Sequence, residues 1–260
     1  MRFQIHLTSN KRNIFLPIDY QYSLAAAVYK LVARGDEKYA RFLHDSGFVA
    51  GRLKRFKLFS FSGLTLPRFT VWKEKGLIEL HDNRLSFLIS FVADEAAEAL
   101  IKGIFMNQRF SIGDRFSHAD LEVIAVEAQP RPFFTNTMHY RCVSPMVVEH
   151  KNPGEKYGTY LAPDHKLFAD LLYQNLIAKT ASLNLLINTG DDTPEQFDFH
   201  LIGSYKSKLI TIKPHTKEQT RVRGFLFDFT LNAPEYVQEI GYYAGLGMNN
   251  AMGFGAIEIV

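Results

Sequence analysis

The chain is nearly without cysteine. Its single thiol, Cys142, excludes an intramolecular disulfide and every zinc site built on paired thiolates, and it suits a reducing compartment. Net charge is almost as scarce, since 30 Lys and Arg against 27 Asp and Glu leave +3 over 260 residues. Long apolar runs are missing too. The longest uncharged stretch, Ile240 to Ile257, contains five glycines and two asparagines and fails as a spanning helix. The opening MRFQIHLTS alternates instead of forming the apolar core of a signal peptide. No Ser/His/Asp elbow and no phosphate loop ending in Gly-Lys-Ser/Thr occurs. These absences predict a cytoplasmic protein with no membrane role. What remains is globular: 47% apolar and 22% charged residues, with length for two ordinary domains.

The small total charge hides a lopsided distribution. Residues 1–60 carry eleven Lys and Arg against four acids, a net of +7, and the other 200 residues sum to −4. A second basic island lies at 201–224, where Lys206, Lys208, Lys213, Lys217, Arg221 and Arg223 face only Glu218. One such island is most simply a solvated face. Two put that reading level with the electrostatic footprint of a polyanion partner.

Periodicity supplies the elements. Phe3, Ile5 and Leu7 alternate as a strand, and Leu24, Val28, Leu31 and Val32 mark one face of a helix over Tyr22–Arg34 that Gly35 stops. Asp36 is placed to cap a short helix burying Tyr39, Phe42 and Leu43. The basic segment after it ends as a strand with Lys57, Phe59 and Phe61 on one face. Strands follow at Phe69–Lys73, Leu77–His81 and Leu85–Val92. Asp94 caps a helix with Ala97, Leu100, Ile101, Ile104 and Phe105 on its stripe, and a strand spans Ala119–Val126. The second half repeats the order. It predicts a strand at Met138–Val148 and a helix from Asp164 to Leu183, with Leu167, Phe168, Leu171, Leu172, Asn175 and Leu176 facing inward. Strands come next at Phe197–Tyr205, Leu209–Lys213 and Val222–Leu231, a helix opened by Asn232 and Pro234, and a last strand at Phe254–Val260. Both halves read strand–helix–strand–strand–helix–strand. The expected fold is α+β, a tandem of ferredoxin-like (RRM-like) domains at 1–128 and 133–260, each an antiparallel sheet with two main helices.

The sharpest motif closes the chain: Gly245-Leu246-Gly247, five residues, then Gly253-Phe254-Gly255. In a dinucleotide fingerprint a strand leads in and a helix leads out, so that phosphate meets a helix N-terminus. Here the helix comes first, and 225–260 contains no Lys or Arg. Gly245, Gly247, Gly253 and Gly255 would let backbone approach a ligand, with attraction drawn from loop N–H groups and from basic residues elsewhere. This tail, with MRFQIHL, LAAAVYKLV, YARFLHDSG, KLFSFSGL and ALIKGIFMNQRFSIGDRF, resembles the RAMP superfamily of CRISPR systems. More narrowly it resembles the repeat-cleaving CRISPR-associated endoribonucleases, the sixth in the Cas naming, over nearly the full length.

The resemblance implies a reaction and its residues. His44 matches the family's catalytic histidine, although an isolated histidine is most often a solvated surface imidazole. Tyr29 of the VYKL helix and Lys57 opening KLFSFS match the tyrosine and lysine that can join it, and Lys54 is the alternative cation. The implied activity is metal-independent cleavage of CRISPR repeat RNA in precursor transcripts, without a cofactor. The substrate's 2′-hydroxyl attacks phosphorus, leaving a 2′,3′-cyclic phosphate and a 5′-hydroxyl. Arg52, Lys54, Arg55, Lys206, Lys208, Lys213, Arg221 and Arg223 would bind RNA with the four glycines. The acids Asp191, Asp192, Glu195 and Asp198 read as a solvated turn rather than a metal site. The rival function is a catalytically silent RAMP subunit holding guide RNA in an effector complex. Effector-complex partners, and the choice between monomer and homodimer, stay open.

Overall fold

A computed structural model describes residues 1–11, 14–51, 54–155, 157–183 and 197–260. Arg52, Asp191, Asp192 and Glu195 lie outside the described residues. The first half runs β1 (Arg2–Thr8), β2 (Ile14–Pro17), α1 (Gln21–Gly35), α2 (Glu37–Asp45), β3 (Phe48–Ala50), β4 (Lys54–Phe56), β5 (Phe59–Phe61), β6 (Phe69–Trp72), β7 (Leu77–Leu80), β8 (Arg84–Phe91), α3 (Asp94–Met106), β9 (Arg109–Gly113) and β10 (His118–Ala128). The second runs β11 (Thr137–Cys142), β12 (Glu149–His150), β13 (Thr159–Tyr160), α4 (Phe168–Ser182), β14 (Asp198–Ile212), β15 (Thr220–Asn232), α5 (Glu235–Ala244) and β16 (Ile257–Ile259).

Two antiparallel sheets carry the architecture. The first has the order β5-β8-β1-β10-β9 and the second β14-β15-β11-β16. Numbering the four main strands of each half in chain order, both sheets read second-third-first-fourth, and β9 adds a fifth strand to the first sheet. That shared order identifies two ferredoxin-like domains in one α+β chain. Register follows the alternation: β1 sets Phe3, Ile5 and Leu7 opposite Ile89, Phe87 and Leu85, and all six are buried. Helices α1 and α3 cover this sheet and touch backbone to backbone. A Cβ on Gly35 would overlap the Ala99 carbonyl, and one on Gly103 the Leu31 carbonyl. Gly35 therefore serves the helix crossing more than the helix stop.

Several expectations need correction. Asp94 lies in the first turn of α3 behind the cap position Ala93, and Phe105 is 81% exposed because Gly103 occupies the contact with α1. Phe42 is partly exposed beside the buried Leu43. Helix α4 begins at Phe168 rather than at Asp164, and β11 stops at Cys142 rather than running to Val148. The two strands read at 197–213 are one strand, β14, broken only by a register shift between Ile202 and Lys206 near the left-handed Gly203. Pro234 holds the cap position of α5, and Asn232 still pairs in β15. Phe254 precedes β16 instead of opening it. Asp36 does cap α2, accepting from the Tyr39 N–H at 2.9 Å.

Several contacts fasten the halves. Arg2 is buried, donates Nη1 to the Ile257 carbonyl at 2.7 Å and lies 4.4 Å above the Tyr242 ring. The segment before β5 is shared: Phe56 and Leu58 pack into the second core, and Phe59 and Phe61 belong to the first. Leu58 has φ +50, and this kink lets consecutive residues serve opposite cores. A further contact lies at the tip of the β14–β15 hairpin. There the His215 ring meets Phe116 edge-on at 5.6 Å, and its Nε2 lies 3.8 Å from the Asp114 carboxylate.

Candidate functional site

Helix α2 ends in a turn that positions two cations. Gly47, at φ +60, folds the chain back so that its N–H and that of Ser46 both bond the Phe42 carbonyl. A Cβ at this position would press to 2.5 Å from the Phe56 carbonyl of β4, so glycine also permits the hairpin to dock. The carbonyls at the negative end of the helix dipole are then taken by side chains. Lys57 Nζ donates to the His44 carbonyl at 2.9 Å, and Arg55 Nη1 to the Asp45 carbonyl at 2.6 Å.

His44 itself points into solvent, with 83% of its side chain exposed. Its Nδ1 lies 2.8 Å from Asp45 Oδ1. An ionised carboxylate can only accept, so Nδ1 carries the proton and Nε2 is the nitrogen left for other partners. Lys57 is held below the ordinary lysine range by burial, opposed by Asp45 and reinforced by Arg55. Tyr29 stands on α1 with its ring edge-on to Phe59 at 5.6 Å, and burial pushes its phenol up to about 12.

These residues meet in one cleft of about 810 Å³ between the two halves. Tyr22 and Tyr29 of α1, His44, and the run Lys54 to Phe59 form one wall. Asn175 and Lys179 of α4 and residues 247–252 of the glycine tail form the other. Among the described residues, Lys54, Arg55, Lys57 and Lys179 line it against a single carboxylate, Glu149. Among the described residues, Asn175 Oδ1 is buried without a hydrogen-bond partner, which leaves an acceptor on the cleft wall.

The four glycines of the tail are all buried, with φ of +81, +66, +89 and +68 at Gly245, Gly247, Gly253 and Gly255. The close approach they permit is to protein. A Cβ would meet Ser60 at Gly245, the Val147 carbonyl at Gly247, the Phe61 ring at Gly253 and the Leu246 carbonyl at Gly255. They shape the loop, and the exposed or half-exposed Met248, Asn249 and Asn250 present it to the cleft.

The second basic island is divided by its own strand pairing. Lys206 and Lys208 share the hairpin face of Ile210, Ile212 and Val222, which packs with Val147, Phe254 and Tyr22. Arg221 and Arg223 fall on the opposite face, where Arg223 donates to Ser207 Oγ at 2.7 Å. Lys213 is paired to Glu218. None of the five lines the cleft.

Sequence reasoning passed over Asp45, Asn175, Lys179 and Asn250. Lys179 was within reach of the pattern, since the apolar stripe Phe168, Leu172, Leu176 continues onto it, and a lysine on a buried stripe is a signal.

Comparison with known proteins places both halves. The family model "CRISPR-associated protein Cas6, N-terminal" matches residues 15–120, and "CRISPR associated protein Cas6, C-terminal" matches residues 127–259. A CRISPR-associated endoribonuclease Cas6 from Pyrococcus furiosus is 26% identical over 270 residues, spanning 100% of this chain and 90% of the relative. Two solved structures share the fold. One, described as characterization of a Cas6-related gene from Pyrococcus furiosus, superposes with TM-score 0.82 at 24% identity, covering 100% of this chain and 98% of that one. The other, described as "An RAMP protein binding different RNA substrates", has TM-score 0.80 at 23% identity, covering 100% and 99%.

Proposed function

Because the chain belongs to the Cas6 family through both of its halves, we propose that it is an endoribonuclease that cleaves CRISPR repeat RNA. Its guide-producing cut is metal-independent, and the nucleophile is the substrate's own 2′-hydroxyl. The observation that carries this reading is the cleft that gathers His44, Tyr29, Lys54 and Lys57 opposite the glycine tail.

Roles follow from the geometry. Asp45 engages His44 Nδ1 and leaves Nε2, on a residue that lines the cleft, to accept the 2′-hydroxyl proton or, protonated, to deliver one to the departing 5′-oxygen. A phenol raised to about 12 is a poor base at neutral pH, so Tyr29 orients the attacking hydroxyl or donates to a phosphate oxygen. Lys57, tethered beside His44, supplies the cation for the charge gathering on phosphorus, with Lys54 and Arg55 along the same wall. Tyr22, Phe56, Met248 and Met252 offer apolar surface against which bases can lie. DNA lacks the nucleophile and should bind without being cut.

The test is incubation of the purified protein with its genomic repeat RNA in excess chelator, followed by end-group analysis. Cyclic phosphate and 5′-hydroxyl termini are expected. Products that vanish with chelator, or that carry 5′-phosphate, would refute the mechanism. RNA bound but never cut would favour the silent-subunit reading.

A further inference from the structure

The glycine tail has no positive side chain of its own, yet it encloses one. Lys179, on α4, is 2% exposed and reaches into the loop, where Nζ donates to the Gly245 carbonyl at 2.6 Å, the Gly247 carbonyl at 2.8 Å and Asn250 Oδ1 at 2.7 Å. Among the described residues, no carboxylate lies within ion-pair distance of it. Asn250 is held in turn by donating Nδ2 to the Leu246 and Phe254 carbonyls at 3.0 and 3.1 Å. The arrangement is that of a coordinated cation: three oxygens converge on one charge, as they would on a bound metal ion.

We propose that Lys179 is a positioning residue for RNA, an internal cation that shapes the glycine loop and gives its cleft-facing tip a positive potential toward phosphate. The inference rests on the RNA-cleaving reading above and extends it to a residue on the far wall from His44. Turning the Gly245 and Gly247 carbonyls inward onto the ammonium removes two negative dipole ends from the surface the tip presents. Lys179 lines the cleft, and among the described residues no carboxylate pairs with its charge. In a site screened from water a single uncompensated charge acts over a longer range than a solvated lysine. Burial drives the proton affinity of Lys179 down to about 7. Three acceptors matched to the three N–H bonds of an ammonium oppose that loss, since a neutral amine could satisfy only two.

The experiment separates charge from scaffolding. Binding of the repeat RNA is measured over a range of salt concentrations in a His44→Ala background, which keeps the RNA intact, and cleavage kinetics are measured with His44 restored. Lys179→Met should lose tenfold or more in affinity and flatten the log–log salt dependence by about 0.7, the value of one phosphate contact. Its KM should rise while the rate at saturating RNA is retained. Asn250→Asp keeps an acceptor at the ammonium but cancels its charge, and Asn250→Ala loses the same Nδ2 bonds without doing so. The aspartate variant should therefore show the flatter salt slope of the two, a comparison that decides the matter even if Lys179→Met does not fold. Equal slopes in the two Asn250 variants, or a folded Lys179→Met with wild-type slope and KM, overturn the proposal. A protein with His44 intact that binds no repeat RNA removes the functional reading and this inference with it. Binding by that protein with unaltered variants removes this inference alone.

Discussion

Replacing Gly255 with alanine tests whether the tail is held by backbone geometry. At φ +68 an L-residue gives up about 1–2 kcal/mol to the left-handed conformation. The new Cβ would also overlap the Leu246 carbonyl and press to 2.6 Å from Asn250 Nδ2. Relief of that overlap strains two hydrogen bonds, Leu246 N–H to the Gly255 carbonyl at 2.8 Å and Asn250 Nδ2 to the Leu246 carbonyl at 3.0 Å. Each is worth about 0.5–1.5 kcal/mol, so the whole penalty comes to about 2–5 kcal/mol. Gly76 provides the control, with φ +65 and no atom within 4 Å of a Cβ. Gly76→Ala should cost only the conformational share, about 1–2 kcal/mol. Denaturant unfolding of both variants, with amide exchange at Leu246 as the local reading, distinguishes them. Gly255→Ala should unfold at lower denaturant than Gly76→Ala and expose the Leu246 amide. Equal stability with Leu246 still protected would show that the tail tolerates a side chain there, and the close-packing account would be wrong.

Four further outcomes are expected. His44→Ala should slow single-turnover cleavage by about 10²–10⁴-fold with RNA affinity unchanged in a filter-binding assay. Tyr29→Phe should lower the rate without altering the shape of the pH–rate profile, because a phenol at about 12 stays protonated throughout the working range; loss of the limb on which the rate rises with pH would reassign it as the base. Lys57 is a cation with lowered proton affinity, so its charge disappears as pH rises, and earlier than for a free lysine. The rate should fall on that alkaline side, and Lys57→Arg should carry activity to higher pH. Finally, Lys206→Ala/Lys208→Ala should weaken RNA binding more than Arg221→Ala/Arg223→Ala, since only the lysines share the hairpin face that packs toward Tyr22; the reverse ranking would place RNA on the other face.

The main helices and sheet strands were legible because their apolar spacing is that of one-sided burial, as in Phe3-Ile5-Leu7 and Leu24-Val28-Leu31. Legibility failed where backbone turns break the period. The positive φ of Leu58 means that Leu58, Phe59, Ser60 and Phe61 are all buried, which no alternation anticipates. The β3–β4 hairpin has three-residue strands among basic side chains, too short to show a period. Its consequence was invisible as well, for it is this hairpin that returns Lys57 to the His44 carbonyl. At the site, His44, Tyr29 and Lys57 were reached through family resemblance. Asp45 and Lys179 enter it through contacts that only the folded chain creates.

The fastenings between the halves bear on how a ligand would be received. Arg2 at Ile257 and Tyr242, Ser60 beneath Tyr243, and His215 against Phe116 hold both walls of the cleft before anything enters it. With the walls already held, the ordering cost of association beyond lost translation and rotation falls on the RNA and on the side chains that meet it, not on a closing hinge. Free and RNA-bound protein should then give superimposable scattering profiles apart from the mass of the nucleic acid. Residues far from the cleft would set its affinity by keeping its width, and loosening Arg2 should act as a binding mutation without touching RNA.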